Sequence, residues 1–168
     1  MIRPTHSSDA ARIADIYNYY IANTVVTFEE NPITALDIQV RIEETKAEGL
    51  PWLVAEDRGG IIGYAYASKW KDRCAYRYSV EVTVYLSHSV TARGWGTLLY
   101  QSLFAELEQQ SIHAAIGGIS LPNEASVALH EKLGMEKVAH FKEVGFKFGQ
   151  WVDVGYWQTI LLTKQTKD

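Results

Sequence analysis

One carboxylate lies where an apolar strand is expected. The segment Val80–Leu86 alternates aliphatic residues with Glu81, Thr83 and Tyr85, and this alternation predicts a strand with two different faces. A carboxylate held on such a face can accept a proton from a reacting group. The alternative is that this face is simply solvated, as in many antiparallel sheets.

A glycine turn and a helix follow this strand. Gly94 and Gly96 lie one residue apart, and Leu99, Leu103 and Leu107 then recur at one-turn spacing. Glycine lets a ligand approach the backbone, and the first N–H groups of a helix attract phosphate oxygens. A dinucleotide fingerprint would need a third glycine where Leu99 stands, and no ATP P-loop pattern is present. An ordinary strand-to-helix turn is the alternative.

The turn resembles the coenzyme-A pyrophosphate loop of the GNAT acyltransferases, roughly [QR]-x-x-G-x-[GA] after a hydrophobic strand. Thr91 replaces the family's Gln or Arg at the first position, and Arg93 is available to supply positive charge. A second segment, 121–135, resembles the family's run beside the pantetheine arm. It keeps Asn123 and Ser126 and has His130 at the tyrosine position.

The resemblance extends over about residues 2 to 162, and it is to the phosphinothricin and methionine sulfoximine N-acetyltransferases. Six segments carry it in the same order: TFEENP, PWLVAE, GYAYASKWKDRCAY, VEVTVYLSH, LPNEASVALHEKLG and GQWVDVGYWQ. It implies an α/β (α+β) GNAT fold with a central mixed, mostly antiparallel sheet and helices on both faces. It also implies an acetyl-CoA-dependent N-acetyltransferase and a homodimer.

The resemblance assigns roles residue by residue. Glu81 matches the catalytic glutamate, and His130 matches an active-site position at which many relatives protonate the leaving thiolate. The strand is expected to part from its neighbour near its end, which would free backbone groups around Val84 and Leu86. The implied acetyl-CoA contacts are Val84, Leu86, Arg93, Gly94, Gly96, Thr97, Asn123 and Ser126.

The acceptor site is expected to bind a small amino-acid-like amine. Such acceptors carry a carboxylate and a polar end, and Lys71 and Arg73 in the loop before the catalytic strand can bind anions. The resemblance places Phe28, Arg73, Tyr76 and Tyr85 on the substrate side. Simple loop solvation, or packing for the tyrosines, is the alternative. With no evident nucleophile for an acetyl-enzyme, direct attack in a ternary complex is the expected mechanism.

Hydrophobic periodicity and the positions of glycine and proline predict the helices and strands that position these residues. We predict a strand at 2–4, an amphipathic helix around 13–21 and a second helix at 34–48. A hairpin is predicted at 52–68, followed by a strand at 76–86, the long helix and a buried strand at 113–119. Asn123 is the expected cap of a short helix ending at Leu133, and a closing hairpin turns at Gly149.

Length and composition limit the classes of protein to which this chain can belong. The 168 residues suit one domain spanning 1–168, and a net charge of −4 with scattered basic residues argues against nucleic acid. Cys74 is the single cysteine, which excludes an intrachain disulfide and suits the cytoplasm. We find no signal peptide, no bilayer-spanning run and no metal-ligand spacing among the five histidines.

Other functions remain open at this point. Within the same class, the acceptor could be a protein N-terminus, which would want an open groove, or a polyamine, which would want several acidic residues. From other classes, the chain could be a non-catalytic acyl-CoA sensor or a structural dimer module. A sensor would bind CoA without turnover, and a structural module gives no reason for the glycine loop.

Overall fold

The computed structural model describes residues 1–90 and 94–161. The strands are β1 Ile2–Pro4, β2 Trp52–Asp57, β3 Gly60–Lys69, β4 Ser79–Leu86, β5 Ala114–Leu121, β6 Glu136–Lys147 and β7 Gln150–Ile160. The helices are α1 Ala10–Asn23, α2 Ala35–Ala47, α3 Trp95–Gln109 and α4 Glu124–Lys132. Two short 3-10 turns, Ser7–Asp9 and Cys74–Tyr76, precede α1 and β4.

The strands form one seven-stranded sheet in the order β1-β2-β3-β4-β5-β7-β6. Neighbouring strands are antiparallel except β4 and β5, which run parallel. The predicted mixed, mostly antiparallel sheet is therefore confirmed. The closing hairpin is confirmed as well, with its turn at Phe148 and Gly149, both at positive φ.

Helices cover both faces of this sheet, as predicted. On one face, the leucines of α3 that recur at one-turn spacing are fully buried against inward residues of β4 such as Val80 and Val82, and α4 packs beside them. On the other face, α1 and α2 bury Ile13 and Ile38 against Trp52 and Tyr64. Glu81 alternates with Val80 and Val82, so its side chain lies on the face that α1 shares.

The predicted start of β4 at Tyr76 is wrong. The N–H of Tyr76 donates to the carbonyl of Arg73 at 2.9 Å, and the N–H of Arg77 donates to the carbonyl of Cys74 at 3.2 Å. These local bonds close a 3-10 turn and keep the segment out of the sheet until Ser79.

Candidate active site

Strands β4 and β5 separate in the middle of the sheet. Their parallel pairing covers three residue pairs and ends where Glu81 faces Ile116. Strand β4 nevertheless continues to Leu86, and β5 continues to Leu121. The two strands therefore leave a wedge-shaped opening that starts directly beyond Glu81.

The backbone groups of β4 alternate between its two neighbours. The N–H of Ser87 donates to Ile62 of β3 at 2.7 Å, and Ser79 accepts from Trp70 at 3.2 Å. Odd-numbered residues of β4 therefore direct their N–H and C=O groups toward β3, and even-numbered residues direct theirs toward β5. The backbone N–H and C=O groups of Val84, which lies beyond Glu81, therefore face the opening.

Neighbouring side chains occupy some of these carbonyls but not the N–H groups. Tyr20 donates to the carbonyl of Leu86 at 2.6 Å, and the Tyr100 hydroxyl lies 3.3 Å from the carbonyl of Val82. Within the described ranges, β5 offers no ladder partner to the N–H groups of Val84 and Leu86. An extended, amide-bearing ligand can bond such a strand edge.

A narrow cleft of about 50 Å³ occupies this opening on the side of α4. Three of its lining residues come from α4 and its cap, and they include the predicted Asn123 and Ser126. The full lining is Val26, Val82, Thr83, Val84, Tyr85, Tyr100, Gly118, Ile119, Ser120, Asn123, Ser126 and His130. The side chain of Asn123 accepts from the Ser126 N–H at 3.1 Å, which confirms Asn123 as the cap of α4.

His130 is buried at the wall of this cleft, with 3% of its surface exposed. Its Nδ1 lies 2.7 Å from the carbonyl oxygen of Ser126, and its Nε2 lies 3.2 Å from the hydroxyl of Tyr100. A Cβ at position 117 would come within 2.5 Å of Nε2, so Gly117 provides the space for the imidazole. Burial lowers the pKa of His130, which favours its neutral form.

Tyr100 is a cleft residue that sequence reasoning missed. It is 1% exposed and lies on α3 between buried leucines, so its pattern is that of a core position. Burial raises the pKa of its hydroxyl well above the ordinary value. Its position next to His130 depends on how α3 packs against α4, which no local pattern specifies.

A second cavity, of about 360 Å³, lies on the opposite side of the opening, under the α1–α2 connection. Among the described residues, Glu81 is the one carboxylate in its lining, and hydroxyl and apolar groups make up the rest. The full lining is Val26, Thr27, Phe28, Tyr66, Glu81, Thr83, Tyr85, Gly118, Ser120, Phe141, Val144, Val154 and Tyr156. The two cavities meet at the gap between β4 and β5, where they share Val26, Thr83, Tyr85, Gly118 and Ser120.

The carboxylate of Glu81 is half-buried in this cavity. Burial raises its pKa above the ordinary value of 4.5, and the charge of Lys71 opposes this shift. A Cβ at position 118 would lie 3.3 Å from Glu81 Oε1 and 3.1 Å from the ring of Tyr156, so Gly118 keeps this corner open. Tyr156 of β7 lines the same corner.

The α1–α2 connection is held in place over the second cavity by hydrogen bonds and packing. The buried ammonium of Lys147 donates to the carbonyl of Thr27 at 2.8 Å, and the hydroxyls of Tyr17 and Thr27 lie 2.7 Å apart. The ring of Phe28 lies against Gly145 of β6, where a Cβ would overlap it. The hairpin β6–β7 therefore determines where Phe28 stands in the cavity wall.

The remaining predicted acceptor residues divide into two groups. Phe28 and Tyr85 line the cavity, whereas Lys71, Arg73 and Tyr76 are absent from its described lining. These three lie on the β3–β4 connection, all with exposed surface. Lys71 is placed over the Trp70 ring, 4.9 Å from its centroid, and its charge acts on Glu81.

The structure describes Gly94, Gly96 and Thr97 of the predicted phosphate site. Gly94 adopts the left-handed conformation, with φ of 73°, directly before α3, and Gly96 and Thr97 form the first turn of that helix. A Cβ at Gly96 would lie 3.1 Å from the Leu129 side chain, so the glycine allows α3 and α4 to approach. Arg93 lies outside the described residues.

Within 1–90 and 94–161, no group of three or more His, Cys, Asp or Glu side chains is arranged to hold a metal ion. No helix in the same ranges is both long and apolar enough to cross a membrane.

Comparison with known proteins gives consistent matches. The sequence model described as an acetyltransferase (GNAT) domain matches residues 2–155. A phosphinothricin N-acetyltransferase from Streptomyces viridochromogenes is 41% identical over 157 residues, which are 94% of this chain and 85% of that protein. An L-methionine sulfoximine/L-methionine sulfone acetyltransferase from Pseudomonas aeruginosa is 33% identical over 158 residues, 94% of this chain and 92% of that protein.

A solved structure has the same fold. The phosphinothricin acetyltransferase from Sinorhizobium meliloti, in complex with acetyl-CoA, superposes with a TM-score of 0.94 at 33% identity. The superposition covers 100% of this chain and 91% of that one.

Proposed function

This chain belongs to the GNAT acetyltransferase family, and from that membership we propose that it transfers acetyl from acetyl-CoA to the amine of a small amino-acid-like acceptor. The acceptor is of the phosphinothricin, methionine sulfoximine or methionine sulfone type, as the names of the relatives indicate. One observation carries the proposal: the cavity that holds Glu81 and the cleft along the unpaired edge of β4 meet at the gap between β4 and β5.

The co-substrate fits the donor side of this gap. The pyrophosphate binds at the start of α3, where Gly94, Gly96 and Thr97 present backbone N–H groups to phosphate oxygens. The pantetheine amides pair with the unpaired edge of β4. The N–H of Val84 then faces the thioester carbonyl and stabilises the negative charge that develops on its oxygen.

The acceptor enters from the opposite side. Its amine must lose a proton before it can attack, because the reference pKa of an α-amino group is about 8. Glu81 takes this proton directly or through one water, and the amine nitrogen then bonds to the carbonyl carbon in a single ternary complex. Lys71, whose charge acts on Glu81, and Arg73, on the same exposed connection, attract the carboxylate of an amino-acid acceptor.

Thiol release from acetyl-CoA with a panel of acceptors tests this function. The panel holds methionine sulfoximine, phosphinothricin, methionine sulfone, a polyamine and a short peptide. We expect turnover with the three amino-acid analogues and none with the polyamine or the peptide. Turnover with the peptide or the polyamine alone would replace the acceptor class, and acetyl-CoA binding with silence across the panel would favour a sensor.

We also propose that the single domain, 1–168, works as a cytoplasmic homodimer. Phe146 and Trp151 form a cross-strand pair with ring centroids 4.9 Å apart, and they are 53% and 62% exposed. Phe148, at the adjacent turn, is 59% exposed. An apolar aromatic group of this size at the end of a hairpin is typical of a protein–protein interface.

Light scattering during size-exclusion chromatography measures this assembly. The wild-type chain, of 18.9 kDa, should elute with about twice its monomer mass. The variant Phe146→Glu/Trp151→Glu should elute as a monomer, because two buried carboxylates per subunit would be desolvated at the interface. The exposed Tyr78→Glu serves as the control and should stay dimeric. A monomeric wild type would reject the dimer.

A further inference from the structure

Part of the α1–α2 connection lies across the gap between β4 and β5. Val26 lines both cavities, and Thr27 and Phe28 line the second one. We call residues 26–29 the bridging segment. The segment belongs to no helix or strand, so contacts from other elements must fix its position.

Neighbouring elements hold the bridging segment at its two ends. At the start, the Ser120 hydroxyl of β5 donates to the carbonyl of Val26 at 3.4 Å. At the end, the guanidinium of Arg41 on α2 donates to the carboxylate of Glu29 at 2.8 and 3.2 Å. These contacts leave the backbone in the middle of the segment to be held from another direction.

The middle of the segment is held by Lys147 of β6. Its ammonium donates to the Thr27 carbonyl at 2.8 Å, although the two residues are 120 positions apart in the chain. Lys147 and Gly145 alternate with the exposed Phe146, so both lie on the face of β6 that meets the segment. On that face Gly145 makes room for the Phe28 ring.

A buried ammonium is costly at this position. Lys147 is 2% exposed, and lysine is almost never fully buried unless it is paired. Burial lowers its pKa, and the charges of Glu30 and Glu29 oppose this shift. An aliphatic side chain would fill the same space without the cost of desolvation. The ammonium adds a strong hydrogen bond to the carbonyl and an attraction to the acidic end of the segment.

We propose that Lys147 is a positioning residue for the acceptor: its ammonium holds the bridging segment against β6 and thereby fixes where Phe28 lies in the wall of the second cavity. The proposal rests on the proposed function, because it takes that cavity as the acceptor site. Lys147 is absent from the described lining of both cavities, so it acts through the segment and not on the substrates.

Hydrogen exchange followed by mass spectrometry measures the hold on the segment without any acceptor. Lys147→Met keeps a long unbranched side chain and removes the donor. Amides of residues 24–33 should then exchange about tenfold faster, because a hydrogen bond to a charged group contributes about that factor or more to local opening. The N–H groups of Glu29 and Ile33 report on this change, since side chains accept from both. Peptides from β7 should exchange as in the wild type.

Steady-state kinetics measure the consequence for binding. We expect the acceptor KM of Lys147→Met to rise about fivefold, since part of the lost hydrogen-bond energy is expressed in binding. Both kcat and the Kd of acetyl-CoA should change by less than about twofold, because only Val26 of the segment belongs to the described lining of the narrow cleft. Lys142→Met makes the same change at an exposed lysine of β6 and should match the wild type.

Chemical rescue separates the charge of this side chain from its shape. In a Cys74→Ser background, Lys147→Cys offers a single thiol, which is alkylated in denaturant before refolding. Alkylation with 2-bromoethylamine restores an ammonium on a side chain with as many atoms as lysine, whereas 1-bromopropane places a methyl group there. The ammonium form should regain the exchange rate and the acceptor KM of the Cys74→Ser protein refolded in the same way. The propyl form should resemble Lys147→Met.

The outcomes separate this role from the proposed function. Unchanged exchange of residues 24–33 in Lys147→Met would overturn the positioning role, whatever the enzyme acetylates. Equal behaviour of the two alkylated forms, folded or unfolded, would make Lys147 a packing residue and would also overturn it. Faster exchange in a protein that acetylates no member of the panel would support the hold on the segment and reject the acceptor class.

Discussion

Replacing Glu81 by glutamine should lower kcat/KM by about 10²- to 10⁴-fold, the range that a positioned general base contributes. Glutamine keeps the shape of the side chain but cannot accept the amine proton. The loss should be largest where the carboxylate is ionised and the free acceptor amine is still protonated. It should shrink at alkaline pH, because the amine then loses its proton without help. Steady-state kinetics between pH 5 and pH 10 measure both effects.

The pH profile gives the sign of this effect. Burial raises the pKa of Glu81, and a base works only when ionised, so wild-type activity should fall as the pH drops through that raised value. The variant should lack this limb. An unaltered acid limb in Glu81→Gln would remove Glu81 as the base.

Stability separates a functional loss from a folding defect. A carboxyl group whose pKa is raised on folding makes the ionised native state less stable above that pKa. Glutamine removes this cost, so the melting temperature of the variant at neutral pH should be no lower than that of the wild type. Glu106→Gln makes the same change at another glutamate whose pKa burial raises, outside both cavities, and should keep full activity.

Replacing Gly145 by alanine should raise the KM for the acceptor by about tenfold and leave acetyl-CoA affinity unchanged. The added methyl overlaps the Phe28 ring, which must move into or away from the acceptor cavity. Overpacking of this kind costs about 1–3 kcal/mol of stability, and 1.4 kcal/mol expressed in binding is a tenfold change. Titration of both substrates by steady-state kinetics gives the two constants.

A compensating change tests the cause. In Gly145→Ala/Phe28→Leu the smaller side chain makes room for the methyl, so part of the acceptor affinity should return relative to Phe28→Leu alone. Gly60→Ala adds a methyl where the nearest atom outside its chain neighbours is 3.9 Å away, and it should behave as wild type. Equal loss of affinity for acetyl-CoA in Gly145→Ala would show a general distortion instead of a local one.

The sequence predicted those features that arise from local periodicity. Alternation through Val80–Leu86 identified β4 and placed Glu81 on its own face, and one-turn spacing identified α3. Asn123 was identified as a cap because its side chain satisfies a helix N–H two or three residues on. The family resemblance, carried by motifs in order, is confirmed by the match over residues 2–155.

Features that depend on tertiary packing were not accessible in the same way. Tyr100 reads as a core residue of α3, and its hydroxyl meets His130 only because α3 and α4 approach each other over β5. In the sequence, Gly117 and Gly118 are residues of low strand propensity within a predicted strand. In the folded chain they leave space on opposite faces for His130 and for Glu81. Lys147 reads as a surface charge, yet it is buried under the α1–α2 connection.

The short pairing between β4 and β5 also determines where local unfolding of the protein begins. The sheet consists of a four-stranded part and a three-stranded part that share one ladder of three residue pairs. Amide hydrogens along this seam lack the protection that a continuous ladder gives, so local opening should begin there. A co-substrate that bonds β4 across the seam closes it, and at 100 times its dissociation constant it adds about 2.7 kcal/mol of stability. We therefore expect the protein to be most stable when the acetyl donor is bound along β4.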